Sequence, residues 1–242
     1  MKASDNFEKF TEDYSYIRNI NRDGSYGIVY LVSKNTTNKE YIAKTIKEKN
    51  IFKNEKEINE IVKKLNDPNI VEYIESKENE YIEIENDIKD LIIFEYCSKG
   101  ELLEYIQYSE EGFEEKIAKI IFKTILETVE KLHTIGIYHL DLKLDNILVD
   151  KDFNIKIADF GLSKQKTEKN KGKFTGEVGA KIFRPPQMLG NNKYCGDKAD
   201  IFTLGANLFI IVTGAYGFYS FCENDKYYKL LKKDKNEYWN IF

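Results

Sequence analysis

Two short strings in this 242-residue chain carry side chains of the types that handle metal-bound phosphate: His139, Leu140, Asp141, Leu142, Lys143, Leu144, Asp145, Asn146, and then Asp159, Phe160, Gly161. Moving a phosphoryl group needs a carboxylate to orient the attacking hydroxyl, oxygen ligands for magnesium, and a cation against the developing negative charge. Asp141, Asn146, Asp159 and Lys143 supply each type. Asp141 and Asn146 are flanked by Leu142, Leu144 and Ile147, and Asp159 by Ile157, Ala158 and Phe160. Their polar groups therefore lie near a core, where burial without partners is costly. A purely structural role would need three separately satisfied turn residues that happen to bracket one hairpin. His139 reads differently, as a core-packed, hydrogen-bonded histidine, because no nucleophile that it would activate lies nearby.

Further candidates stand upstream. Gly24 and Gly27, with Val29 beyond, join two strands, where glycine lets backbone N–H groups approach phosphate oxygens, although an ordinary hairpin turn has the same composition. Lys44 lies on the next strand, within reach of such phosphates. Glu57 on the following helix is the partner expected to hold it, with Glu55 and Glu60 as neighbouring choices.

The elements that must position these residues follow from the pattern. Residues 14–46 alternate apolar positions around turns at Asp23, Gly24 and at 35–38, which predicts three antiparallel strands. Ile58, Ile61, Val62 and Leu65 predict a helix over 54–65, closed by Asp67 and Pro68, and 71–74 and 91–95 predict two more strands. Residues 113–133 present Ile117, Ile120, Ile121, Ile125, Val129 and Leu132 at helical spacing. Residues 201–213 are apolar nearly all round, as expected of a buried helix. Between them, 147–149 and 155–157 read as strands about the turn at 150–154, bringing Asn146 and Asp159 together.

With 42% hydrophobic and 14% aromatic residues the chain can bury a substantial core. A net charge of −4 gives no basic field for nucleic acid, and no apolar run reaches the length of a membrane span. Residues 1–13 are polar, lack a secretory apolar core and predict a flexible segment. Cys97, Cys195 and Cys222 are odd in number and widely spaced, which suits structural thiols in a reducing compartment, cytoplasmic or nuclear.

Taken in order, these residues resemble the signature set of the eukaryotic protein kinase family, serine/threonine type, from about residue 16 to 242. The resemblance implies an α+β, bilobal fold: a small five-stranded antiparallel N-lobe with one helix (14–96) and a mainly helical C-lobe (97–242) lacking its last helices. It implies ATP and magnesium as cofactors, bound between the lobes, and a protein substrate. By it, Lys44 contacts the α- and β-phosphates, Glu57 anchors Lys44, Asp141 is the catalytic base and Lys143 neutralises the γ-phosphate. Asn146 and Asp159 bind magnesium; Gly24, Ser25 and Gly27 cover the phosphates. Glu95 and Cys97 offer backbone to adenine beside Phe94, Glu101 reaches the ribose, and Val29, Ile42 and Leu148 sandwich the base. Asp200 braces the catalytic loop.

The chain departs from that pattern at several points. Arg22 replaces the first loop glycine, and Ile42 narrows the space for the base. Leu140 replaces the arginine that pairs with a phosphorylated activation loop, so regulation by that pairing is expected to be absent, and Thr175 reads as an ordinary loop threonine. Ala180 removes a hydroxyl that bridges the catalytic aspartate and lysine. Gln187 replaces a glutamate whose arginine partner would lie beyond Phe242, avoiding an unpaired buried charge. A short C-lobe predicts apolar surface that a partner would cover. Two other readings share the motifs: a pseudokinase that binds nucleotide or a partner as a scaffold, and a small-molecule kinase, which Lys143 and the long 161–186 stretch disfavour.

Overall fold

Side chains of the central strands of the first sheet alternate between two faces that do different work, while both edge strands carry register shifts. The computed structural model describes residues 8–21, 27–109, 111–190, 192–219 and 225–241. It divides into two compact units, Met1–Asn66 with Val71–Cys97, and Asp67–Ile70 with Ser98–Phe242. The first holds β1 (Tyr14–Asn21), β2 (Ile28–Lys34), β3 (Glu40–Ile46), α1 (Lys49–Val62), β4 (Tyr73–Ile82) and β5 (Asp87–Glu95). The five strands form an antiparallel sheet in the order β1-β2-β3-β5-β4. One face buries Tyr14, Tyr30, Val32, Tyr41, Ala43, Leu91 and Ile93 beneath Phe10. The opposite face packs Ile46 and Ile92 against Phe52 of α1.

Several expectations change here. Within the segment expected to be flexible, Phe10 and Thr11 are buried, Phe10 in the sheet's core, while residues 8, 9, 12 and 13 are exposed. The helix starts at Lys49, not 54, and β4 runs on to Ile82. Asp67–Ile70 belongs to the second unit: Ile70 bridges Ile157, Ile157 N–H donates to Asn69 O at 2.8 Å, and Asp67 pairs with Lys131 at 2.6 Å.

The second unit holds α2 (Leu102–Ser109), α3 (Glu115–Thr134), β6 (Ile137–Tyr138), β7 (Ile147–Val149), β8 (Ile155–Ile157), β9 (Lys164–Gln165), β10 (Lys173–Phe174), β11 (Tyr194–Cys195), α4 (Gly196–Thr213), α5 (Lys226–Lys233) and α6 (Lys235–Trp239). Its strands form three two-stranded ladders, β6-β9, β7-β8 and β10-β11. The α3 row that is buried is Ala118, Ile125, Thr128, Val129 and Leu132, whereas Ile117 and Ile120 are exposed. Likewise α4 is not buried all round: Ile201 and Val212 are about half exposed. Gln187 is exposed, so a carboxylate at that position would not be buried in this chain, and the charge-avoidance argument does not hold. Among the described residues no helix is long and apolar enough to cross a membrane.

Candidate active site

In the sheet unit, Lys44 projects from the face that packs on α1. Register pairs Lys44 with Val29 on one side and Ile92 on the other, and Ile42 with Leu31 and Phe94, so Val29, Ile42, Lys44 and Phe94 share that face. The Lys44 ammonium donates to both oxygens of Glu55, at 2.8 and 2.9 Å, and Glu55 is fully buried. This corrects the expected partner, Glu57. A helix turns about 100° per residue, so the residue one turn on from buried Phe52 faces the sheet, and the residue two further on faces away. Glu55 is the former and Glu57, which is exposed, the latter.

Gly27 has a reason to be glycine that involves no ligand: a Cβ there would lie 1.8 Å from the Thr45 carbonyl oxygen, inside the β2–β3 pairing. Arg22, Gly24 and Ser25 lie outside the described residues. Glu95 N–H is spent on Glu72 O at 3.0 Å, and its carboxylate accepts from Glu72 N–H at 2.8 Å. Cys97 is buried and forms no disulfide among the described residues.

In the helical unit, the loop after β6 is built around Asp200, which sits in the first turns of α4 and is 1% exposed. Its carboxylate accepts from His139 N–H at 2.9 Å and Leu140 N–H at 2.7 Å, and lies 2.8 Å from His133 Nε2. These bonds hold Leu140 at φ 64°, a conformation costly for a branched side chain. His139 is fully buried, with Nε2 3.0 Å from Ala158 O and Nδ1 accepting from Asp141 N–H at 3.3 Å. With Nδ1 accepting, Nε2 is the nitrogen placed to donate to Ala158 O, which links the loop to the strand that leads into Asp159.

Asp141 is held at both oxygens. Oδ2 accepts from Asn146 Nδ2 at 3.0 Å, and Oδ1 from Ala180 N–H at 3.1 Å. The backbone at Ala180 thus supplies a bond to Asp141 where the missing hydroxyl was expected to leave a gap. Gly179, at φ 75°, allows this approach: a Cβ there would meet Leu140 O at 2.6 Å. Asn207, fully buried on α4, donates through Nδ2 to Leu142 O. Sequence reasoning missed Gly179, Asn207 and His133, which carry no motif of their own. Lys143 is half-buried, its N–H bonded to Asp141 O at 2.9 Å.

The β7–β8 hairpin pairs Ile147 with Ile157, and Ala158 N–H donates to Asn146 O at 2.9 Å, so Asn146 and Asp159 flank the same end. Asp159 takes φ 62°, and its Oδ1 accepts from Gly161 N–H at 3.3 Å. Asn146 spends its amide nitrogen on Asp141, which leaves its oxygen to face a cation. Two hard oxygen donors suit magnesium. Among the described residues no cluster of three His, Cys, Asp or Glu could hold a metal alone, so an ion here would complete its shell with phosphate oxygens and water. Leu148 and Glu101 form an isolated bridge. Burial, then the Asp145 and Glu104 charges, raise the Glu101 pKa above the usual carboxylate value, against a lowering by Lys143.

Comparison with known proteins agrees with this geometry. Residues 17–240 match the protein kinase domain. The chain is 38% identical over 160 residues to NUAK family SNF1-like kinase 2 of Rattus norvegicus, covering 66% of this chain and 24% of that protein. It is 37% identical over 163 residues to human NUAK family SNF1-like kinase 1, covering 67% and 23%, and 38% identical over 170 residues to serine/threonine-protein kinase kin-29 of Caenorhabditis elegans, covering 70% and 19%. The chain thus spans about a quarter or less of the length of these relatives. The matched domain takes in both the Lys44–Glu55 pair and the Asp141 loop, and the chain belongs to the protein kinase family.

Proposed function

We propose that the chain is an ATP-dependent protein kinase that transfers the γ-phosphoryl group to serine or threonine hydroxyls of protein substrates. The observation that carries this is the restraint on Asp141, whose two carboxylate oxygens are each held by a donor, Asn146 Nδ2 and Ala180 N–H. Each oxygen keeps a second lone pair, so the group can accept a hydroxyl proton while its direction stays fixed. Positioning of this kind is most of what phosphoryl transfer asks of a protein. Lys143, two residues on, would meet charge on the transferred group, and its position favours serine/threonine over tyrosine, as does the name of one relative, kin-29. Lys44, held by Glu55, would contact the α- and β-phosphates. Backbone at Glu95 and Cys97, with Val29, Ile42, Leu148 and Glu101, would take the adenosine. Asn146 and Asp159 would hold magnesium, which when bound neutralises phosphate charge.

The test is label transfer from ATP with magnesium to a generic protein substrate, wild type beside Asp159→Asn. Wild type should incorporate label and the variant roughly a hundredfold less. Equal background label in both would overturn the kinase reading, and nucleotide-dependent thermal stabilisation would then show whether a binding module remains.

A further inference from the structure

A cavity of ≈ 700 Å³ on the helical unit is lined by Lys164, Lys169, Lys171, Lys173 and Lys193 with Phe174, and among the described residues no carboxylate lines it. In a chain of net charge −4 this is a local reversal, since residues 164–173 hold five lysines and one acid, Glu168. Among the described residues, none of the five lining ammonium groups pairs with a carboxylate. The nearby Glu177 is engaged elsewhere, by Arg184 at 2.7 Å and Gly190 N–H at 3.3 Å. Lys164 is half-buried, its ammonium 5.3 Å from the Phe174 centroid, and burial lowers its pKa. A partly desolvated cation with only an aromatic neighbour gains most from an incoming anion.

The cavity is joined along the chain to the segment that holds Asp141. Thr175 lies on the rim, and Ala180, whose N–H bonds Asp141, is five residues on. Five extended residues span at most roughly 18 Å. An extended peptide of about that length therefore suffices to bridge the two.

We propose that this cavity receives an anionic side chain of the protein substrate, phosphorylated or carboxylate-rich, within about five residues of the hydroxyl that Asp141 orients. The inference rests on the kinase reading and adds a substrate class to it. Lysines offer point charges that meet a phosphate dianion or clustered carboxylates in several geometries, and exposed ones act with strong salt dependence.

The experiment measures KM and kcat for three peptides that differ only in the flanking position: phosphoserine, serine, and three glutamates. KM for the phosphopeptide should be roughly tenfold below that of the serine peptide, with kcat similar, and the glutamate peptide should fall between. The triple variant Lys169→Ala, Lys171→Ala, Lys193→Ala should erase the difference and leave the serine peptide unchanged, which also controls for folding. Equal KM for all peptides, or a preference that survives the triple variant, overturns the proposal while leaving the kinase reading intact. Thr175→Ala should keep the preference; its loss would mean that the cavity serves a phosphate on Thr175 itself, and the proposal fails. If no peptide is labelled, the kinase reading fails, and fluorescence anisotropy then decides this one: tighter binding of the phosphopeptide supports it and equal binding overturns it.

Discussion

Glu55 and Glu57 differ by two positions and by nearly everything physical. Glu55 is fully buried against an ammonium that donates to both its oxygens, and Glu57 is solvated. Removing one member of a buried ion pair leaves the other charge uncompensated, which costs about 3–5 kcal/mol. Glu55→Ala should therefore destabilise the sheet unit by about that amount in chemical denaturation and abolish label transfer, whereas Glu57→Ala should change both by little. The correct choice was legible in principle, since Glu55, Ile58 and Val62 stand at i, i+3 and i+7. It was obscured because the helix begins five residues before the predicted start, so Phe52 was not counted on its face. Glu101 invites a test with pH. Its folded-state pKa is raised above 4.5, so its contribution is fully present below the unfolded value and is lost as pH rises through the folded one. Relative to Glu101→Gln, wild type should lose stability between acid and neutral pH, read as a shift in denaturation midpoint.

Among the elements, short strands about a clear turn were readable and long-range fits were not. The triplets Ile147–Val149 and Ile155–Ile157 lie where alternation around residues 150–154 puts them. By contrast, the exposed Ile117 and Ile120 of α3 show that an apolar row wider than the contact leaves its edge in water. The attachment of Asp67–Ile70 to the helical unit depends on a parallel bridge to Ile157, a contact 87 positions away that no local pattern announces. Gly179 is another such case, unremarkable in sequence but set by the backbone it meets. A methyl group there would lie 2.6 Å from Leu140 O and 3.0 Å from Asp141 Oδ1, on a backbone at φ 75°. Gly179→Ala must shift either the segment or the carboxylate. Displacement of about 1 Å at a reacting group costs on the order of a hundredfold in rate. The variant should lose that much kcat, and strain of about 1–3 kcal/mol should also lower its thermal midpoint, while nucleotide-dependent stabilisation stays near wild type.

At the scale of the whole molecule, the question is what holds the chain in a state where Asp141 is in place. A kinase that relies on loop phosphorylation uses an arginine beside the catalytic aspartate to bind the new phosphate, and so shifts a population toward the ordered state. This chain has Leu140 there, 5% exposed, in an apolar cluster with Tyr138, Met188, Tyr194 and Ala199, against which Phe174 and Val178 pack. The same segment is tied by the β10–β11 pairs Lys173 with Cys195 and Phe174 with Tyr194, by Arg184 to Glu177, and by Ala180 N–H to Asp141. With Leu140 the segment has no arginine beside Asp141 to receive a phosphate, and a modification without differential affinity for the ordered state shifts no equilibrium. Protein treated with phosphatase, and verified as unmodified by intact mass, should therefore match untreated protein in kcat/KM on a neutral peptide within about twofold. Leu140→Arg should weaken the cluster and lower the thermal midpoint. A tenfold or larger loss on dephosphorylation of the wild type would show that the apolar cluster does not suffice to order the segment.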